Sequence, residues 1–246
     1  MKGVSKSNST AFASERDPDV FVALDVDETR RAESLAETLS GLGLGFKIGP
    51  RLILREGRSI IQSIARSGDV FVDCKHLDIP STMVAAVRAA FEAGARYSTI
   101  HASCGSKALR EIQAMQKDYP GTRVLAVTVL TSYDRATLPF AWRDHSIESI
   151  VSNLALDCRK DGHTSFVCSP HEVKALKAQI PDGFFVTPGV RPSGSAMGDQ
   201  SRVETPGLAA VNGASSLVVG RPIIESEDPL KAALDIQNEF RAARAR

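Results

Sequence analysis

The feature that most constrains this chain is an alternation. Short β-rich runs recur eight times from residue 20 onward, with helical patterns between them. The runs cover 20–26, 45–49, 70–75, 97–102, 124–131, 165–169, 184–189 and 216–221, and helical spacing of apolar residues marks stretches such as 31–42, 59–66, 82–93, 107–117, 171–179 and 229–243. Strand, crossover helix and strand is the pattern of a parallel sheet, whose neighbours cannot be joined by a tight hairpin. Eight such units with no second cluster of strands predict an α/β chain folded as a single (β/α)8 TIM barrel and not an open doubly wound sheet. The length agrees, since one such barrel needs roughly 250 residues and the chain has 246. Residues 19–246 are therefore expected to form the barrel domain. Residues 1–18, rich in Ser, Asn and charge and without the apolar run of a signal peptide, are expected to form a mobile N-terminal arm.

Composition limits the partners. Thirty Lys and Arg against 29 Asp and Glu leave a formal charge of +1, with no block of like charge to grip a polyanion. Neither nucleic acid nor a membrane is an expected partner, and no apolar stretch is long enough to span a bilayer. The cysteines at 74, 104, 158 and 168 show no close pairing, which suits a reducing cytosol and a cytoplasmic location. The histidines at 76, 101, 145, 163 and 171 show no metal-helix spacing, so no zinc site is expected. Gly41-Leu42-Gly43-Leu44-Gly45 precedes a strand instead of opening a helix, and reads as a helix stop, not a dinucleotide fingerprint.

Barrels of this kind carry their chemistry at the carboxyl ends of the strands. Polar residues gather there: Asp25 on the first run, Lys47 on the second, Asp73 and Lys75 on the third, His101 on the fourth, Thr131 on the fifth and Arg221 on the eighth. Strand alternation puts Phe71, Asp73 and Lys75 on one face, with Val72 and Cys74 on the helix-facing side. Two opposite charges thus point together into the barrel mouth, a costly arrangement unless each is paired or used. Lys47 and Asp78 are the expected further members of an alternating array. Ile79, preceding Pro80, is restricted toward extended backbone, so the chain after the third run is expected to extend or turn rather than enter a helix. His101, at the end of the fourth run, reads as a hydrogen-bonded strand-end histidine.

The segment Asp73, Lys75, Asp78, Ile79, Pro80, Thr82 resembles the Asp-x-Lys-x-x-Asp-Ile-Pro-x-Thr pattern of the orotidine 5′-monophosphate decarboxylase family. Further landmarks of that family follow in order: Leu24-Asp25, Phe46-Lys47-Ile48-Gly49, Leu130-Thr131-Ser132, Thr187-Pro188-Gly189-Val190-Arg191-Pro192, Gly198-Asp199-Gln200 and Val219-Gly220-Arg221-Pro222-Ile223. His76, Leu77 and Ser81 depart from the common pattern without touching a charge of the array.

The resemblance implies decarboxylation of orotidine 5′-monophosphate to UMP in pyrimidine biosynthesis, with no metal, flavin or pyridoxal cofactor. It implies that Lys75 stabilises and protonates a carbanion, that Asp73 lies beside the departing carboxylate, and that Lys47 and Asp78 hold the array. Asp25, Lys47 and Thr82 would bind the ribose, and Thr131 and Ser132 would read the pyrimidine. Arg191, Gln200, Gly220 and Arg221 would hold the phosphate, Gln200 from a small polar stretch between Pro192 and Pro206 suited to a mobile lid. A homodimer is implied, with Asp78 entering the partner's site. The competing reading is a magnesium-dependent sugar-phosphate decarboxylase or aldolase of the same superfamily, which resembles this chain in the third-strand Asp-x-Lys-x-x-Asp; Ile79-Pro80 and the long lid stretch argue against it. A noncatalytic phosphate-ligand binder is the reading from a different class.

Overall fold

A computed structural model describes residues 16–192 and 204–245. The elements follow one another as β1 (Val20–Ala23), α1 (Thr29–Thr38), β2 (Gly45–Ile48), α2 (Pro50–Glu56), α3 (Arg58–Ile64), β3 (Asp69–His76), α4 (Pro80–Glu92) and β4 (Ala95–His101). The second half adds α5 (Ser106–Gln116), β5 (Arg123–Val127), α6 (Ile147–Lys160), β6 (Ser165–Val167), α7 (Pro170–Gln179), β7 (Phe184–Thr187), α8 (Pro206–Val211), β8 (Ser216–Val219), α9 (Arg221–Ile224) and α10 (Pro229–Arg244). The strands close into a barrel in sequence order, every pair parallel, with β1 completing the circle against β8. This is the single (β/α)8 TIM barrel that the eightfold alternation predicts.

Each strand is buried on both sides because its two faces serve two cores. Val20, Val22, Phe46, Ile48, Val70 and Val72 face outward under the helices. Phe21, Ala23, Phe71, Tyr97, Leu125, Val127, Val167, Val186 and Val218 fill the interior. Phe21 meets Phe71 and Tyr97 edge-on, at centroid separations of 5.2 and 4.8 Å. Gly45 is glycine for a steric reason: a Cβ there would lie 2.4 Å from the Phe21 ring. Gly41 and Gly43, with φ of +79° and +68°, supply the left-handed turns by which the chain leaves α1, as expected of a helix stop.

The barrel floor is closed by charge. Asp17 accepts two hydrogen bonds from Arg123, at 2.9 and 2.7 Å, and one from the Tyr97 hydroxyl at 2.6 Å. Arg96 donates to Asp69 at 2.7 Å beside it. Residues 1–15 of the expected N-terminal arm lie outside the described residues. Arg16, Asp17 and Pro18 are tied into the fold by the Arg123 pair, by Arg96 donating to the Arg16 carbonyl, and by Ser216 donating to the Pro18 carbonyl. No helix among the described residues is long and apolar enough to cross a membrane.

Candidate active site

Register builds the array at the barrel mouth. Ala23, Lys47, Phe71 and Tyr97 are successive interior neighbours on β1 to β4, so Asp25, Asp73 and Thr99 stand one pleat nearer the mouth. Lys47 Nζ lies 3.0 Å from Asp25 Oδ1 and 3.6 Å from Asp73 Oδ2. Lys75 Nζ lies 2.8 Å from the same Asp73 oxygen, and the Thr99 hydroxyl donates to the other at 3.0 Å. Within one chain the array therefore reads Asp25, Lys47, Asp73, Lys75.

β3 departs from a regular pleat at this point. Val72 pairs with Ser98 and His76 with Ile100, so Asp73, Cys74 and Lys75 together oppose Thr99 alone. The excess forms a bulge, which re-aims side chains at the end of a strand. Lys75 takes φ of +48°, and it is the one non-glycine residue with positive φ among the described residues. Such backbone costs on the order of 1–3 kcal/mol and needs surrounding structure to hold it. Part of the hold is visible: the Lys75 amide, out of the ladder, donates to Thr99 Oγ1 at 2.8 Å.

The charges support one another. Burial alone would lower the Lys47 ammonium, but Asp73 and Asp25 outweigh it and hold the group above the ordinary lysine value. Burial alone would raise the Asp73 carboxyl, but Lys47, Lys75 and the Thr99 hydroxyl bring it below the ordinary carboxylate value. Both are thus fully charged at neutral pH. Side-chain exposure separates their capacities: Lys47 and Asp73 are 10% and 12% exposed, whereas Lys75 is 39% exposed. Lys75 is the more accessible of the two cations of this array.

The remaining residues singled out from sequence lie around the mouth. Asp78 is exposed beyond β3, its carboxylate accepting from the Ile79 amide at 2.6 Å, and it forms no ion pair with Lys47 or Lys75 among the described residues. Ile79 is extended, as the following proline demands, but Pro80 opens α4 at once. The expectation that the chain would turn without entering a helix here is therefore corrected: proline suits the first helical position, where an amide hydrogen has no partner. Thr82 is exposed on the first turn of α4. Thr131 and Ser132 follow β5 in a turn, because that strand ends at Val127. Arg191 is buried and donates to the Val190 carbonyl at 2.8 Å. Gly220 links β8 to Arg221, which is exposed at the start of α9. Gln200 lies outside the described residues.

Two contributors were missed in the sequence. Thr99 is fully buried in the middle of the array and reads as an ordinary strand residue. Trp142, in the segment after β5, stacks on His101 with centroids 6.2 Å apart. His101 Nδ1 lies 2.7 Å from the Ser103 hydroxyl, in keeping with the hydrogen-bonded reading, and burial together with the Lys75 charge pushes its pKa down. A cavity of about 1100 Å³ lies at the other end of the barrel. Its lining carboxylates are already paired, Asp17 with Arg123, Asp19 with Arg241 and Arg244, and Asp69 with Arg96, so the mouth remains the candidate site.

Comparison with known proteins points the same way. Orotidine 5′-phosphate decarboxylase of Trichlorobacter lovleyi is 38% identical over 227 residues, covering 90% of this chain and 94% of that protein. The Anaeromyxobacter dehalogenans enzyme of the same name is 42% identical over 217 residues, covering 87% and 94%. The crystal structure of orotidine 5′-phosphate decarboxylase from Lactobacillus acidophilus superposes with a TM-score of 0.78 at 31% identity, over 91% of this chain and 99% of that one. The profile of the family described as orotidine 5′-phosphate decarboxylase / HUMPS matches residues 18–236. With a closed eight-stranded barrel, an interlocked Lys and Asp array at its mouth and matches over most of its length, this chain belongs to the orotidine 5′-phosphate decarboxylase / HUMPS family.

Proposed function

We propose that this chain removes carbon dioxide from orotidine 5′-monophosphate to give UMP, using Lys75 as both electrostatic stabiliser and proton donor. The observation that carries the reading is the asymmetry of the array: Lys47 and Asp73 are buried and locked together, while the Lys75 ammonium is bound at one side to Asp73 and open at the other. Loss of carbon dioxide leaves an electron pair in the plane of the pyrimidine ring, where it cannot delocalise into the π system. A fixed positive charge facing that pair stabilises it without reorganising at the moment of reaction. The same ammonium then gives the carbon its proton. Asp73, held as a carboxylate, would face the substrate carboxylate and be relieved of repulsion as it departs. That contribution ranks below the first because ground-state effects depend on remote binding energy.

The other roles are those that the family resemblance implies. Asp25, Lys47 and Thr82 serve the ribose, Thr131 and Ser132 the pyrimidine edge, and Arg191, Gly220 and Arg221 the phosphate, whose usual place in this fold is after the seventh and eighth strands. Asp78 serves the site of a second copy in a twofold dimer. Supporting this are its exposure, the absence of an ion pair to it among the described residues, and its apolar exposed neighbours Leu77 and Ile79, at 58% and 64%. Mixing the protein with orotidine 5′-monophosphate in chelator, and following the ultraviolet change, tests the proposal. Turnover insensitive to chelation supports it; turnover that needs added magnesium, or none under either condition, overturns it.

A further inference from the structure

We infer that Thr99 is a positioning residue for the reaction, one hydroxyl that fixes both the Asp73 carboxylate and the backbone of Lys75. The inference rests on the assignment of Asp73 and Lys75 as the reacting pair.

The geometry assigns the hydroxyl two simultaneous bonds, accepting from the Lys75 amide at 2.8 Å and donating to Asp73 Oδ1 at 3.0 Å. A hydroxyl has one proton and two lone pairs, so these two bonds use it as donor once and acceptor once, without conflict. Its donor direction is also dictated, since the amide can only give and a carboxylate can only take.

Both partners need this anchor. The bulge on β3 takes Lys75 out of the ladder and into left-handed backbone, a conformation that persists only where neighbours over-determine it. Asp73 carries two ammonium groups on its other oxygen, Lys75 at 2.8 Å and Lys47 at 3.6 Å. Without a bond to Oδ1 the carboxylate is free to rotate about its terminal torsion, which is broad for Asp. Rotation would carry Oδ2 away from Lys75 and let the ammonium swing in its wider, partly exposed space. Thr99 is fully buried on β4, and as a β-branched residue it has few rotamers to choose from. Its hydroxyl is therefore a fixed point from which the pair is aimed. Thr99 itself has no exposed surface for a substrate to touch, so its effect passes through its two partners.

The test compares Thr99→Val, which keeps the shape and removes the hydroxyl, with Thr99→Ser, which keeps the hydroxyl. Turnover of orotidine 5′-monophosphate, UMP binding and the pH profile of kcat are measured for both, beside the unaltered protein and Lys75→Ala. Loss of a hydrogen bond to a charged group predicts a fall in kcat of about 10- to 100-fold for Thr99→Val. KM and UMP affinity should stay within about threefold, and Thr99→Ser should keep kcat within about threefold. The acid limb of the profile should also move to higher pH in Thr99→Val. Asp73 then loses a bond that favours its charged form, while Lys47, Lys75, Asp25 and the neighbouring His101 are unchanged. If Thr99→Val does not fold, Thr99→Ala takes its place.

A folded hydroxyl-free variant with undiminished kcat overturns the inference. So does a loss carried by KM alone, or a loss in Thr99→Ser as large as in Thr99→Val, which would mark a packing role. An unaltered protein without turnover, or a fully active Lys75→Ala, overturns instead the assignment on which the inference stands.

Discussion

Asp78 offers the sharpest test of how the site is assembled. In one chain its carboxylate turns to the Ile79 amide at 2.6 Å and pairs with neither lysine of the array among the described residues. If Asp78 acts across a twofold interface, Lys75→Ala and Asp78→Ala dimers should both be inactive, for different reasons. Equal amounts allowed to exchange subunits give about half heterodimers, by the pairing statistics of an isologous dimer. In each heterodimer one site collects both substitutions. The other has an intact Lys75 from one chain and an intact Asp78 from its partner. About a quarter of all sites should then be whole, and the mixture should reach about a quarter of the activity of the unaltered protein. The assay is turnover of orotidine 5′-monophosphate against time after mixing, with exchange followed separately by mass-tagged subunits. If Asp78 acted in its own chain, every site would lack one residue or the other, and complete exchange would restore nothing. Verified exchange without activity refutes the shared site.

Three further outcomes follow from the geometry. Lys75→Ala should lose turnover while still binding UMP, because its charge acts on the carbanion; equal loss of binding and turnover in titrations of UMP would contradict this. Arg221→Ala should weaken apparent affinity for the nucleotide about 10- to 150-fold, as for one charge-assisted bond, with little effect on a substrate fragment lacking the phosphate; equal effects on both would remove Arg221 from the phosphate site. Asp17→Asn should destabilise the fold by about 1–3 kcal/mol, since it leaves Arg123 and the buried Tyr97 hydroxyl poorly matched. Burial opposes the Asp17 charge, but Arg123 and Tyr97 outweigh it and depress its pKa below 3.8. Its stabilisation is therefore complete above that value and lost as pH falls through and below it, so the variant should show a flatter fall of melting temperature with acid. An unchanged slope would refute the role.

The fold was legible because buried parallel strands leave near-continuous Val, Ile and Phe runs, and all eight were found within a few residues of their ends. Helices were less complete. The segment 147–160 carries Ile147, Ile150, Val151, Leu154, Ala155 and Cys158 at helical spacing behind the Ser146 cap, yet it was not singled out. The short α8 and α9, of six and four residues, have too few turns to show a period. At the mouth, alternation correctly put Asp73 and Lys75 on one side. It could not supply the bulge, which depends on the register of β4 against β3 and not on either sequence alone. Thr99 was hidden for the same reason. Asp25, expected at the ribose, turned out to be a partner of Lys47 as well.

The closing pair β1 and β8 sets the order in which this protein can be finished. Ser216 reaches back 198 positions to the Pro18 carbonyl, and Phe21 sits in register with Val218. At about 5–20 residues per second, β1 leaves the ribosome roughly 10–40 s before the strand that covers its edge. During that interval Val20–Ala23 is an unpaired, wholly apolar edge, the kind of template on which chains associate wrongly. α10 adds a second tie at the same end, with Arg241 within 2.6 Å of Asp19. The approach to β1, the C-terminal part of α10 and the barrel floor thus meet at one seam, and a nascent chain that has not reached residue 216 lacks the strand that seals it.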